Sequence, residues 1–457
     1  MRRFALLIAL VATLAASSAC GDHGLRYSNG RVVVRFWHSM GGVNSDSLKK
    51  MIDGFNASQD AYEVQPIYQG GYPDSLKKLV ASLGTGSMPT MIQLDDIELQ
   101  FMVDSRAVVP AQDFIDRDAA TSGAAQGYPP PIDLTDFEPR ALDYYTLNGK
   151  LQAMPFNLSG LVLYYDKDAF REAGLDPEQP PATLDDVRAY SEKLLKRDGD
   201  GAIKRNGIAL SIDAWRFEQI LAKQGALYAN NGNGRDARAT RVDFDGPQGE
   251  AILAWWQEMV SSGLATNVGR HGTQALLSVI TGKSAMALES TAAMRAILLV
   301  LGPASSRFGA GPMPAPPGEQ GGIVLGGAAV WIMKERPDVE QRGAWEFLRY
   351  ATGPQVQAQW HADTGYFPLR ISAWDMEPAA SLHRDFPQFT VARDQVLRSP
   401  RNTATAGAVI GPFTQVREGI QDAFEEVLVG GKTPRDALRR AADRANRAIE
   451  RYNRSVE

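Results

Sequence analysis

The residue types able to do chemistry are sparse in this chain and badly spaced for most of it. Asp198 and Asp200 in KRDGDGAIKRNG have the spacing that opens a calcium loop, but no third acidic ligand follows and position twelve is Ala209. The run reads as a tight polar turn. The five histidines, His23, His38, His271, His361 and His383, are never paired at zinc spacing, and the lone cysteine adds no ligand set. No metal and no cofactor is expected. There is no Walker loop, no G-x-S-x-G elbow and no G-x-G-x-x-G between a strand and a helix, so an enzyme is not the expected reading. What remains is non-covalent binding. VVVRFWHSMGGVNSDSLKKMIDGF, residues 32–55, places Trp37, His38 and Ser39 at the end of a strand that turns into a helix. The carboxyl end of a strand in an open α/β sheet is where ligands bind, so the stretch is either half of a site or a plain turn.

The elements that must position such a site alternate. Val32 to Phe36 forms a strand, and Leu48, Met51, Ile52 and Phe55 recur at helical spacing after it. A strand from Tyr62 to Tyr68, a helix carrying Leu76, Leu79, Val80 and Leu83, and a strand from Thr90 complete an α/β unit with a largely parallel sheet. A second unit follows with the strand LVLYY and a helix capped by Thr183, with Asp186 at the capping-box position. A third α/β stretch begins at IVLGGAAVWIM, beyond the Pro- and Gly-rich GAGPMPAPPGEQGG. The closing helix, KTPRDALRRAADRANRAIERY, has Thr433 as its cap and Pro434 in its first position. No internal repeat or heptad pattern interrupts this order.

A chain of 457 residues suits about two or three domains. Its 44% hydrophobic and 22% charged residues are those of a globular protein, and a net charge of −5 without a basic run argues against nucleic acid. The N-terminus stands apart: Arg2 and Arg3, an apolar run from Phe4 to Ala16, then small residues before Cys20. That is an export signal over residues 1–19, too short for the roughly 20 residues of a membrane span. Cys20 resembles the lipidated cysteine of bacterial lipoproteins, with Ser17 where a leucine is usual. Ordinary cleavage after Ala19, leaving a free N-terminal cysteine, is the other reading.

Several phrases together resemble the extracellular solute-binding proteins of ABC importers, in the glycerol-3-phosphate and glycerophosphodiester group: RFWHSMGG at 35, YQGGY at 68, MPFNLSGLVLYYDKDAFREAGLDPEQPP at 154, GKSAM at 282, LGGAAVWIM at 325 and TGYFPL at 364. The resemblance implies an α/β, two-lobed periplasmic-binding-protein fold with a ligand cleft between lobes, each lobe a mainly parallel sheet flanked by helices. Lobe 1 is expected over 31–150 plus 328–388, and lobe 2 over 151–327 plus 389–457. It places Tyr72, Asp96, Ser159, Trp215, Ser290, Gly327 and Tyr366 at the ligand. A carboxylate accepts polyol hydroxyls, serine hydroxyls donate to phosphate oxygens, and aromatic faces cover carbon. Helix N-termini near Ser159 or Ser290 add positive dipole ends. Each residue also has a plainer role: tyrosines and tryptophan as half-buried packing, the serines and Asp96 as caps, Gly327 as a bend.

The family supplies a phosphate-binding arginine from the segment matching TATAGAVIGPFTQ, which holds no basic residue here; Arg398 and Arg401 lie just upstream. A second tryptophan of some members is Ile212, and the acidic residue is the shorter Asp96. Losing a bidentate partner disfavours a phosphate monoester. These departures point to a bulkier, less charged glycerophosphodiester, its choline-like cation facing Trp215 and the tyrosines. A neutral sugar or oligosaccharide is the alternative, and a secreted hydrolase or an adhesin-like module stands further off. The implied partners are a small polar solute and membrane permease subunits. The implied location is the periplasm or cell surface, with a lipid anchor at Cys20 and a monomeric state.

Overall fold

The computed structural model describes residues 25–121, 130–270 and 272–457. The export signal and Cys20 lie outside the described residues. Among the described residues, no helix is long and apolar enough to cross a membrane.

Two sheets organise the chain. In the first, Arg31–His38 lies between Tyr62–Tyr68 and Met91–Asp95, parallel to both. These strands are joined by the helices Gly42–Ser58 and Tyr72–Ser82, as the alternating pattern requires. Gly326–Met333 then runs antiparallel to Met91–Asp95, Val108–Val109 and Met154–Ser159. In the second sheet Ile203–Leu210 is parallel to Ala265–Asn267 and Ser284–Ser290. Leu161–Asp166 lies antiparallel between Ser284–Ser290 and Phe308–Pro312.

Both sheets are therefore mixed rather than mainly parallel. Strands made by a local β-α-β step run toward the cleft, whereas Leu161–Asp166 and Gly326–Met333 arrive from the other lobe and run away from it. A second correction concerns where the chain first changes lobes. Met154–Ser159 pairs along its length with Gly326–Val330 in the first sheet, so the chain crosses at Gly160 and not at 151. It returns between Pro312 and Gly326. A last passage leads from Phe367, bridged to Leu158, to the helix Val391–Arg398 against the second sheet.

Helices cover both sheets. Asp338–Ala351 and Gly42–Ser58 lie on the first, with Trp345 stacked on Phe114 at 5.3 Å. Leu184–Leu194 and Gly272–Ile280 lie on the second, while Ala214–Lys223, Pro247–Ser261, Phe413–Leu428 and Pro434–Val456 pack on one another beside it. Thr183 and Asp186 form the expected capping box, and Thr433 caps the last helix with Pro434 first in it. Asp198 closes its turn by accepting from the amides of Asp200 and Ala202.

Candidate binding cleft

The strands of the two sheets end facing one another, and between them lies a cavity of about 370 Å³. All seven residues expected at a ligand line it: Tyr72, Asp96, Ser159, Trp215, Ser290, Gly327 and Tyr366. Asp95, Asn157, Asp213, Ala292 and Arg417 complete the lining.

Each is placed by an element end. Tyr72 is the first residue of its helix, Trp215 the second of its own, where Asp213 Oδ1 accepts from the Trp215 amide at 2.9 Å. Tyr366 follows Gly365, the left-handed residue that ends helix Pro354–Thr364, and stacks on Trp360 with ring centroids 5.7 Å apart. Gly327 has φ +131°, and a Cβ there would lie 1.9 Å from the Asn157 carbonyl oxygen, so only glycine lets these strands approach at the floor. Ser290 caps a short turn, accepting from the Ala292 amide at 3.1 Å. Ser159 ends one strand and is followed by another, so the helix N-terminus anticipated beside it is absent. The acidic cap is Asp95, which accepts from the Asp96 amide at 3.1 Å and leaves the Asp96 carboxyl to the cavity.

Two hydrogen-bonded systems shape the walls. On the first-lobe side the Ser39 amide donates to Gln93 Oε1 at 2.9 Å, and Gln93 Nε2 donates to Asn157 Oδ1 at 2.6 Å. Asn157 Nδ2 donates in turn to the Tyr72 hydroxyl at 3.2 Å. The Tyr366 hydroxyl is hydrogen-bonded into the same group, to Tyr72 and Asn157. Burial holds the Tyr72 phenol well above its ordinary pKa and, together with the nearby Asp95 charge, pushes Tyr366 up to about 12. Both are neutral donors at any physiological pH. The Trp215 indole N–H is buried without a protein partner and is a further free donor.

The second system is charged. Arg417, two residues beyond the segment where a basic residue was sought, is the one cation in the lining among the described residues. Its Nε and Nη2 donate to the two oxygens of Glu218, each at 2.8 Å. Its Nη1 reaches Asp95 at 3.3 Å, and Asp96 lies 3.8 Å from Nη2. Arg216 is likewise committed, to Asp213 and to Glu289. Arg398 and Arg401 are elsewhere: Arg398 donates to the Asp394 carbonyl of its own helix, and Arg401 pairs with Asp143. Counting these groups, the cleft carries more carboxylates than guanidiniums. Burial raises the pKa of Asp95 and Asp96 while Arg417 pulls both down, and the Asp95 charge adds to the rise at Asp96.

Arg417, Asn157, Asp95 and Asp213 escape a sequence reading. Arg417 sits one turn after Phe413 on an amphipathic helix, where a charge reads as solvated surface. The only available signal was its place just past the family's arginine segment.

The profile of the bacterial extracellular solute-binding proteins matches residues 50–385. The chain belongs to that family. Among curated relatives of this solute-binding protein, the sn-glycerol-3-phosphate-binding periplasmic protein UgpB of Escherichia coli O6:K15:H31 is 31% identical over 431 residues, 93% of this chain and 94% of the relative. UgpB of Salmonella typhimurium is 30% identical, covering 92% and 93%. Among solved structures, UgpB from Mycobacterium tuberculosis in complex with glycerophosphocholine superposes with a TM-score of 0.75 at 21% identity, over 94% of this chain and all of that one. The cyclic α-maltosyl-1,6-maltose-binding protein of Arthrobacter globiformis gives 0.70 at 24%, over 92% and 100%. These likenesses show the two-lobed periplasmic-binding-protein fold.

Proposed function

We propose that this solute-binding protein captures a glycerophosphodiester with a cationic head, of the glycerophosphocholine type, and delivers it to the membrane permease of an ABC importer. Capture is reversible: the solute bridges the lobes and favours their closed arrangement, with no covalent step. The observation that carries the choice of solute is the bidentate hold of Glu218 on Arg417. A phosphate monoester, with nearly two charges, would meet a guanidinium already engaged and a surplus of carboxylates. A diester carries one charge, which the Tyr72, Tyr366 and serine hydroxyls can meet, while its cation suits the acidic side and the Trp215 face. The named ligands of the relatives support the glycerophosphate class.

In this reading Tyr72, Asp96, Ser159, Trp215, Ser290, Gly327 and Tyr366 contact the solute. The lobes comprise roughly residues 31–159 with 326–388, and 161–325 with 389–457, hinged at the crossovers. The chain is exported by residues 1–19, acylated at Cys20 and works as a monomer. The test is calorimetry of the mature protein against glycerophosphocholine, glycerol-3-phosphate and maltose. Tightest binding of glycerophosphocholine supports the reading. Binding of maltose alone assigns the cleft to a neutral sugar, and turnover of any of the three makes the protein a hydrolase.

A further inference from the structure

Glu218, Asp95 and Asp96 converge on a single guanidinium, and they share it unequally. Glu218 takes Nε and Nη2 at 2.8 Å, and Asp95 takes Nη1 at 3.3 Å. Asp96 is left 3.8 Å from a nitrogen that already donates elsewhere, although its side chain is only 5% exposed. The other groups facing Asp96 are the phenols of Tyr72, Tyr144 and Tyr145, none of them a cation. Asp213, paired with Arg216, adds negative charge beside Asp95 and Glu218 and so favours a proton within the group. Adjacent buried carboxyls do not ionise independently, and Asp95 and Asp96 are hydrogen-bonded to each other.

We propose that Arg417 is a positioning residue for Asp96: by spending its donors on Glu218 and Asp95, it makes Asp96 the carboxyl that holds a proton in the empty cleft and releases it when a solute's cationic group docks there. The proposal rests on Asp96 being a solute contact. On binding, the Asp96 O–H bond breaks, the proton passes to solvent, and the carboxylate that remains faces the cation. The cleft thereby trades one positive charge for another and stays near balance. A dianionic monoester gains nothing from that exchange and requires the opposite, a retained proton. Charge selection is then a property of three carboxyls on one arginine and does not require a free cation in the lining.

Two measurements test this on the mature protein. Glycerophosphocholine is titrated calorimetrically in two buffers of different ionisation enthalpy between pH 6 and pH 8. The expected result is release of up to about one proton per solute with affinity rising with pH, and no release in Asp96→Asn. Arg417→Gln should move the rise in affinity to higher pH by about one unit or more, because removing the cation strengthens the hold of Asp96 on its proton. Equal heats in both buffers overturn the proposal. So does an Arg417→Gln variant that binds less tightly by the same factor at every pH, which marks a merely structural arginine. Should that variant fail to fold around an unpaired Glu218, Arg417→Gln with Glu218→Gln replaces it. If glycerophosphocholine does not bind at all, the proposed function fails while the proton assignment is still read without solute. In a Glu98→Gln background, which removes a second buried carboxyl held neutral up to about pH 7, the infrared carbonyl band of a neutral carboxyl should then be present, be lost on adding Asp96→Asn, and persist to higher pH on adding Arg417→Gln. A Glu98→Gln protein lacking that band overturns the proposal.

Discussion

Trp215 of the second lobe lies directly over Gly326 at the start of a first-lobe strand: a Cβ on Gly326 would fall 2.8 Å from the indole ring. The bare backbone at 326 is what lets the ring come down onto the crossover, and with it the unpartnered indole N–H. Gly326→Ala should therefore displace the ring and weaken solute binding by about tenfold, roughly 1.4 kcal/mol. Trp215→Ala should lose at least as much by removing the aromatic face. Calorimetry of both variants checks this. Unchanged affinity in Gly326→Ala would mean the ring's seat is irrelevant to the solute.

Asp96→Asn separates binding from stability. The carboxyl sits against Asp95 and near Glu218 with only a share of Arg417, and burial favours its neutral form, so an amide of the same shape costs the solute-free fold little. Solute affinity should fall by about 1.5–3 kcal/mol, the range of a hydrogen bond to a charged group. The melting temperature without solute should hold or rise. A melting temperature well below wild type would instead make Asp96 a structural partner of Arg417.

Much of this fold is legible because its signals are local. The strand at Val32, the capping box at Thr183 and Asp186, and the Thr433–Pro434 start each depend on neighbours within a few residues. Membership of a sheet does not. Met154–Ser159 and Leu161–Asp166 are similarly apolar, separated by Gly160, and only pairing with Gly326–Val330 assigns the former to the first sheet. The site divides the same way. Tyr72 and Tyr366 belong to phrases that a family resemblance can carry, whereas Arg417 acquires its meaning from Glu218, nearly two hundred residues earlier in the chain.

Glu98 links the lobes to pH. Its Oε1 accepts from the Thr414 hydroxyl at 2.6 Å, a contact from the first lobe to the helix Phe413–Leu428 of the second. Burial pushes its pKa up to about 7, against 4.5 for the ordinary group. The folded state thus holds a proton that the unfolded state gives up, and stability declines as pH rises from about 4.5 to about 7. Glu98→Gln should abolish that decline, making the variant more stable than wild type by up to roughly 2–3 kcal/mol at pH 8 and by little at pH 5. Urea unfolding at the two pH values decides it, an equal difference at both counting against the assignment.

His361 works with the opposite sign. Its Nδ1 lies 2.7 Å from the Tyr366 carbonyl oxygen, which only accepts, so Nδ1 carries the proton. Nε2 is then a lone pair, and His383 Nε2 donates to it at 2.9 Å. The neutral ring is thus satisfied on both sides, in a position only 1% exposed. Burial first, with the neighbouring His383, lowers its pKa to about 3 from 6.5. Below pH 6.5 the unfolded chain takes a proton that the folded ring refuses, so this stability is complete above that pH and is lost as pH falls toward 3. His361→Phe should be less stable than wild type at pH 7.5 by about 1–3 kcal/mol, since the buried Tyr366 carbonyl loses its donor. At pH 4.5 the gap should narrow or invert, because the wild type alone has lost up to about 2–3 kcal/mol from this group. Comparing the two proteins by urea unfolding cancels the contributions of Glu98 and the other shared groups. A gap that stays constant between pH 4.5 and pH 7.5 would show that His361 is held by packing and that its protonation does not matter to the Tyr366 wall.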